Sequence, residues 1–264
     1  MDLKLHGKSA LVSGSTAGIG FAIARGLAQE GASVIITGRS LARVEQAIDK
    51  IQQSNPEAKV SGVVADLAKK EGAEQVFQQV PSIDILVNNL GVFEPKAFSD
   101  ITDEDWFDIF EANVLSGVRL SRQYLPKMLE QDWGRIIFIS SESALQIPVE
   151  MIHYGMTKTA QLAVARGLAE STVGTQVTVN SVLAGPTRSE GVENFVAKMA
   201  KERGISVSEV EADFFKNIRP TSLLKRFATI DEVAAMVVYL SSPIASATNG
   251  AALRVDGGVV QSVV

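Results

Sequence analysis

The stretch "SALVSGSTAGIGFAIARGLAQEGASVIITGRS", Ser9 to Ser40, decides the fold. It opens on an apolar run, Ser9–Val12, and closes on a second, Ser33–Thr37, with a helical pattern, Ile19–Gln29, between them. Continuous apolar runs of this kind mark strands buried on both faces of a parallel sheet. The unit therefore reads as strand, turn, helix, strand. Its turn holds Gly14, Gly18 and Gly20 in the spacing G-x-x-x-G-x-G. Amides at a helix start attract anions, and missing side chains let a pyrophosphate come close. Glycines also serve tight turns for steric reasons alone, and the spacing is not the usual G-x-G-x-x-G. Alone, the turn leaves both readings open.

Working outward, the same alternation continues. Further strands are predicted at Val60–Ala65, Ile83–Asn88, Arg135–Ser140, Gln176–Leu183 and Ala252–Val255. Helices are predicted at Leu41–Gln53, Lys70–Gln79, Asp103–Glu130, His153–Val173 and Asp231–Leu240. This pattern predicts an α/β, doubly wound Rossmann fold, a mostly parallel sheet of about seven strands flanked by helices. No linker or low-complexity tract divides the chain, so one domain is expected over residues 1–264. One segment breaks the rhythm: Ser189–Arg226 is charged and helical, carries Phe214 and Phe215, and shows no strand signal. It reads as an insertion, either a surface helical pair or a lid over a substrate.

Composition narrows the function. At 264 residues the chain is long enough to bury a sizeable core. A net charge of −5 gives no general attraction to nucleic acid or to an anionic membrane, and neither is expected as a partner. The lack of cysteine excludes disulfides, thiolate metal sites and cysteine nucleophiles. The only histidines are His6 and His153, so no metal site is expected. The N-terminal segment lacks a secretory pattern, and no run approaches ~18 apolar residues. A cytoplasmic location is expected.

Three other stretches suggest chemistry. In "HYGMTKTAQLAVARGLAE" Tyr154 and Lys158 stand four apart, on one face of a helix. A free tyrosine titrates near ~10. A neighbouring lysine cation favours the phenolate and is expected to lower that value, making an acid–base unit. The same spacing also arises by chance in helices. "IIFISSES" places Ser140, Ser141 and Ser143 just past a strand end, the binding edge of an open α/β sheet. A hydroxyl there can hold a substrate oxygen opposite the tyrosine. No histidine is placed for a Ser–His–Asp triad, because His153 directly precedes Tyr154. "DILVNNLG" ends another strand, and Asn88, Asn89 and Gly91 either support a cofactor or form a local turn.

Taken in order, Gly14-x-x-x-Gly18-x-Gly20, Asn88-Asn89-Leu90-Gly91, Asn113, Ser141, Tyr154-x-x-x-Lys158 and "LRVDGG" at Leu253–Gly258 resemble the short-chain dehydrogenase/reductase family over essentially the whole chain. The resemblance implies hydride transfer between NADP(H) and a carbonyl or secondary alcohol. It implies that Tyr154 is the acid and base, that Lys158 binds the nicotinamide ribose, and that Ser141 orients the substrate oxygen. Asn113 is implied to hold a water that continues a proton relay through Lys158. Implied cofactor contacts are Gly14, Ser15, Thr16, Gly18, Ile19, Gly20, Gly38, Arg39, Ser40, Asp66, Leu67, Asn88, Leu90, Gly91, Tyr154, Lys158, Gly185 and Thr187. Asp66 reads equally as a helix N-cap. By the same analogy Glu94, Glu142, Gln146, Ile147, Met151, His153, Leu183 and Phe195 face the substrate. Two residues depart from the family pattern: Leu90 stands where alanine is usual, and Ala184 where proline is usual. They are expected to crowd the cofactor wall and to loosen the loop beside the nicotinamide.

The second strand ends beside the adenosine ribose of a bound dinucleotide. An acid there would favour NAD(H); here the aligned residue is the uncharged Gly38, and Arg39 follows. Its guanidinium can hold a 2′-phosphate with paired hydrogen bonds, with Thr37 and Ser40 adding hydroxyls. NADP(H) is therefore expected over NAD(H), the alternative being a solvated arginine. The resemblance and the apolar ending "VDGGVVQSVV" predict a homo-oligomer, a tetramer. A non-catalytic nicotinamide-nucleotide-binding sensor is the alternative function. An epimerase or dehydratase fits less well, since the insertion is modest.

Overall fold

The computed structural model describes residues 2–263. Its first half runs β1 (Ser9–Val12), α1 (Gly18–Gln29), β2 (Ser33–Gly38), α2 (Leu41–Ser54), β3 (Val60–Val64), α3 (Lys70–Gln79) and β4 (Ile85–Asn88). The second half adds α4 (Asp103–Phe110), α5 (Ser116–Glu130), β5 (Gly134–Ser141), α6 (Ile152–Glu170) and β6 (Val177–Ala184). It ends with β7 (Thr187–Arg188), α7 (Glu190–Arg203), α8 (Val207–Asp213), β8 (Ala228–Thr229), α9 (Ile230–Leu240) and β9 (Ala252–Val255). Seven strands form one parallel sheet in the order β3-β2-β1-β4-β5-β6-β9. The chain order reverses between β1 and β4, the switch point where ligands bind at the carboxyl ends of strands.

The strands are apolar throughout because helices cover both faces. Every residue of β4, β5 and β6 is buried. Successive side chains go to opposite layers, as strand geometry requires. Val12, Ile85 and Val182 pack under α1, α2 and α9, with Ile23, Val44 and Val233. Leu11, Leu86 and Val179 pack under α3, α5 and α6, with Val76, Leu120 and Ala165.

Two features depart from the sequence reading. The helix expected over Asp103–Glu130 is broken by a π-helical turn at Glu111–Leu115, which contains Asn113. Such turns insert a residue into the helical ladder and leave no periodic trace. The insertion is also bracketed by a short parallel ladder that the sequence did not reveal. Thr187 pairs with Ala228 and Arg188 with Thr229. Between these strands the segment builds a small core of its own. Val196, Ala200, Val210, Phe215 and Phe227 are buried together, and the Phe214 ring lies 5.1 Å from both Phe215 and Phe227.

Candidate active site

The glycine turn between β1 and α1 is held from behind. Gly14 and Gly18 have φ of 61° and 58°, a region that side chains disfavour. The Gly14 amide donates to Thr37 Oγ1 at 3.2 Å. Ser15 Oγ donates to the Val12 carbonyl and accepts from the Thr37 amide. Asn89, at the end of β4, donates from Nδ2 to the carbonyls of Ser13 and Gly14 at 2.9 and 3.0 Å. A methyl on Gly20 would run into that same amide nitrogen. The N-cap of α1 is Ala17, with no side chain closing the helix start. Gly14, Ala17, Gly18 and Ile19 therefore present backbone to a cleft of about 730 Å³. Uncapped amides beside missing side chains suit a pyrophosphate.

That cleft runs on past Arg43, Gly20, Leu90, Gly91, Ser141, Tyr154, Lys158, Gly185 and Thr187 to Phe195, Phe214 and Arg219. The other residues implied for the cofactor do not line it. Ser15 is buried, and Thr16 packs against Gly38, where an added methyl would lie 2.5 Å from Thr16 Cγ2. Arg39 and Ser40 are exposed at the start of α2. Arg43, one turn on, faces the cleft and pairs with Glu190 of α7 at 2.8 Å. Asp66 accepts from the Ala68 amide at 3.1 Å. The N-cap of α3 is Lys69, so Asp66 closes a local turn rather than capping the helix. The Leu67 side chain belongs to the core. Asn88 is buried and donates to Ser121 Oγ at 3.1 Å, so Asn89 and not Asn88 supports the turn.

The end of β5 and the first turns of α6 bring Ser141, Tyr154 and Lys158 to the same cleft. Tyr154 meets the Phe93 ring edge-on at 6.1 Å. Lys158 Nζ lies 5.6 Å from the centre of the Tyr154 ring. It donates to the Ile139 carbonyl at 2.9 Å and to Gln161 Oε1 at 3.2 Å. Gly91 leaves room for it, since a methyl there would stand 3.2 Å from Nζ. Asn113 sits behind this pair and is buried. Its Oδ1 accepts from the Val92 amide at 2.7 Å, and its Nδ2 donates to the Val92 carbonyl and Thr157 Oγ1 at 2.9 and 3.0 Å. Those bonds commit its side-chain amide to protein partners.

Electrostatics corrects one expectation. Burial pushes the Tyr154 phenol up, and the Glu142 carboxylate adds to that, while the Ser141 hydroxyl and Arg219 pull the other way. Lys158 is not among the groups lowering it. Its ammonium is turned to Ile139 and Gln161, and burial brings its own value down to about 8.

Sequence reasoning missed a buried charge cluster next to the serine. Ser141 Oγ donates to Glu142 Oε2 at 2.5 Å and accepts from the Ser143 amide at 3.1 Å. Arg219, from the insertion, donates from Nε to Glu142 Oε1 at 3.0 Å and from Nη1 to Glu150 Oε1 at 3.3 Å. The Glu142 and Arg219 side chains are only 6% and 10% exposed, so each charge depends on the other. Glu142 entered the reading only as a substrate-facing residue; no motif marks Arg219 or Gln161.

Of the substrate-facing set, Glu142, Met151 and Phe195 line the cleft. Leu183 is buried in β6, and His153 packs against Trp106, ring centres 5.9 Å apart, where burial lowers its pKa. Glu94, Gln146 and Ile147 are exposed and do not line the cleft. Leu90 does, with its side chain against the α3–α5–α6 core. Ala184 is buried as the last residue of β6, in register with Ser141 and Val255. The chain there is held in the sheet rather than loosened.

Comparison with known proteins agrees with this fold. The family described as enoyl-(acyl carrier protein) reductase matches residues 14–260. The uncharacterized oxidoreductase YvaG of Bacillus subtilis is 51% identical over 263 residues, covering all of both chains. The D-beta-hydroxybutyrate dehydrogenase of Cupriavidus necator is 34% identical, covering 97% of this chain and 99% of that one. The crystal structure of L-sorbose reductase from Gluconobacter frateurii, complexed with NADPH and L-sorbose, matches with a TM-score of 0.93 at 30% identity over the whole of both chains.

Proposed function

The chain belongs to the short-chain dehydrogenase/reductase family, and from that premise we propose that it transfers a hydride between NADP(H) and a carbonyl or secondary alcohol, with Tyr154 as acid and base. The observation that carries this reading is the meeting of Ser141, Tyr154 and Lys158 on one cleft with the glycine turn. When bound, the nicotinamide supplies or accepts the hydride. Gly14, Gly18 and the uncapped start of α1 suit its pyrophosphate, and we assign Lys158 to the ribose.

The protein's own part is proton handling and orientation. Ser141 turns its hydroxyl from Glu142 to the substrate oxygen. Tyr154 Oη gives its proton to that oxygen in reduction and takes it back in oxidation. Burial keeps the phenol protonated, the form a reductase needs. With its pKa near 8 the lysine still carries its charge at neutral pH, which suits a ribose hydroxyl rather than the phenol.

Arg39 supports the choice of NADP(H), being exposed and free of a hydrogen-bond or ion-pair partner among the described residues. Arg43 brings a second guanidinium one turn away. The L-sorbose reductase complex, which contains NADPH, points the same way. We assign α7 and α8 to a lid on a single domain, because the insertion lines the cleft through Phe195, Met199, Phe214 and Arg219. A homotetramer in the cytoplasm completes the proposal. Leu223 and Val263 are 84% and 99% exposed, and Val118, Leu125, Val164 and Leu168 line a second groove on α5 and α6. Val264, the end of the apolar tail, lies outside the described residues. No helix among the described residues is long and apolar enough to cross a membrane.

The test is a panel of ketoses, 3-oxo esters and secondary alcohols, assayed with NADPH, NADH and their oxidised forms. Turnover with at least one pair, faster with the phosphorylated cofactor, is expected. A protein that binds NADPH and turns over nothing on the panel would instead be the sensor, which needs the glycine turn but not Tyr154.

A further inference from the structure

Gln161 lies on α6 three residues beyond Lys158 and seven beyond Tyr154, on the same side of the helix. Its side chain is buried, at 1% exposure. Gln161 Nε2 donates to the Asn113 main-chain carbonyl at 2.6 Å, and its Oε1 accepts from Lys158 Nζ at 3.2 Å. Only one orientation of the amide satisfies both neighbours. An ammonium has no lone pair to offer, and a carbonyl has no proton. The carbonyl it reaches belongs to the π-helical turn at Glu111–Leu115.

We propose that Gln161 is a positioning residue for the catalytic pair: its carboxamide spans the gap from the Asn113 carbonyl to the Lys158 ammonium, where the family resemblance calls for a water. The inference rests on reading Tyr154 and Lys158 as the proton-handling pair. Two consequences follow from the chemistry of an amide. As an acceptor, Oε1 favours the charged lysine, against the desolvation that works to neutralise it. A carboxamide also neither gives nor takes a proton near neutral pH, so the relay through Lys158 stops at Gln161 instead of passing to Asn113.

Two variants separate this role from packing. Gln161→Met keeps the length and volume of the side chain and removes both hydrogen bonds. Gln161→Ala removes the same bonds and opens room for a water that can bridge the same groups. If the polar bridge matters, Met is the worse substitution; if only packing matters, Ala is worse, because it leaves a cavity. The measurements are kcat/KM with NADPH and the fastest substrate of the panel, the pH profile of the reverse oxidation, and the Kd of NADPH by fluorescence.

In Gln161→Met we expect kcat/KM to fall about tenfold and NADPH to bind several-fold more weakly. The limb of the oxidation profile set by loss of the Lys158 proton should move downward by about half a pH unit, because the ammonium has lost an acceptor. Gln161→Ala should lie between Met and the wild type on all three. A Met variant matching the wild type in all three, or an Ala variant worse than Met throughout, overturns the proposal. Tyr154→Phe, run alongside, keeps the two readings apart. If it stays active the catalytic assignment fails, while the NADPH Kd of the Gln161 variants still judges the bridge.

Discussion

The cleft is built from different materials at its two ends. At the β1–α1 end the wall is backbone, shaped by Gly14 and Gly18 at positive φ and tied down by Asn89. At the α7–α8 end the wall is charge, with Arg219 and Glu142 buried together and the partly exposed Glu150 on the other side of Arg219. A backbone wall offers the same amides whatever side chains surround it, which suits a cofactor common to many enzymes. A buried ion cluster depends on every member, since removing one partner strands the other. On the function proposed above, the difference puts the holding of a dinucleotide on geometry, and the choice of a substrate on side chains that must be assembled together.

Tyr154→Phe tests the seam between the two ends. It should lower kcat roughly 10²–10⁴-fold, the usual worth of a general acid–base group, while the NADPH Kd stays near that of the wild type. A loss of NADPH binding in this variant would mean that the ends are not separable. Next in size is Arg219→Met, which leaves Glu142 buried without its partner. Breaking a buried pair costs about 3–5 kcal/mol, so the melting temperature should fall and the substrate KM rise. Adding Glu142→Gln should recover part of the stability. A double variant no more stable than the single one would show that the two residues are not coupled.

Arg39→Ala probes the backbone end. It should weaken NADPH by about tenfold to a hundredfold in kcat/KM and leave NADH almost unchanged, with a wild-type preference that shrinks in high salt. Equal losses with both cofactors would sink the role given to Arg39. The smallest effect lies outside the cleft. Lys96 donates to Asp105 Oδ2 at 2.5 Å and, with the amide of Thr102, holds that carboxyl down to about 2. A depressed carboxylate lends stability above its unfolded value and loses it as pH falls through its folded value. The window here runs from near ~4 down to ~2. In Lys96→Met the Asp105 carboxyl, followed by NMR, should titrate closer to ordinary values, with turnover unaffected.

The backbone end was legible in sequence for the same reason that it tolerates surrounding change. Its signal is local: Gly14, Gly18 and Gly20 fall within seven residues, between two apolar runs. Tyr154 and Lys158 were legible because helical spacing alone puts them together. Arg219 and Glu142 stand 77 positions apart; analogy marks Glu142 only as substrate-facing, and nothing local marks Arg219. Gln161 reads as one more polar residue on a helix, since nothing local points to the Asn113 carbonyl. Family analogy alone puts Leu183 on the substrate side; β6 is buried on both faces, and a strand without alternation does not disclose which way a residue points. His153 directly precedes Tyr154, but one step along a helix rotates a side chain away from its neighbour's face. It lands against Trp106 instead.

The parallel pairing of β1 with β4 has a consequence in time. Ala10 pairs with Val34 and also with Ile85. The Asn89 bonds that fix the glycine turn span 76 and 75 positions. During synthesis β1, the turn and α1 leave the ribosome well before the residue that locks them. Contacts of such long reach form late, after the loop between them has been closed. The motif most readily recognised as a spacing of glycines thus becomes rigid only after a strand some 75 positions further on has docked. Until β4 docks, the nascent chain carries a glycine turn whose residues are all present and whose shape is not yet set.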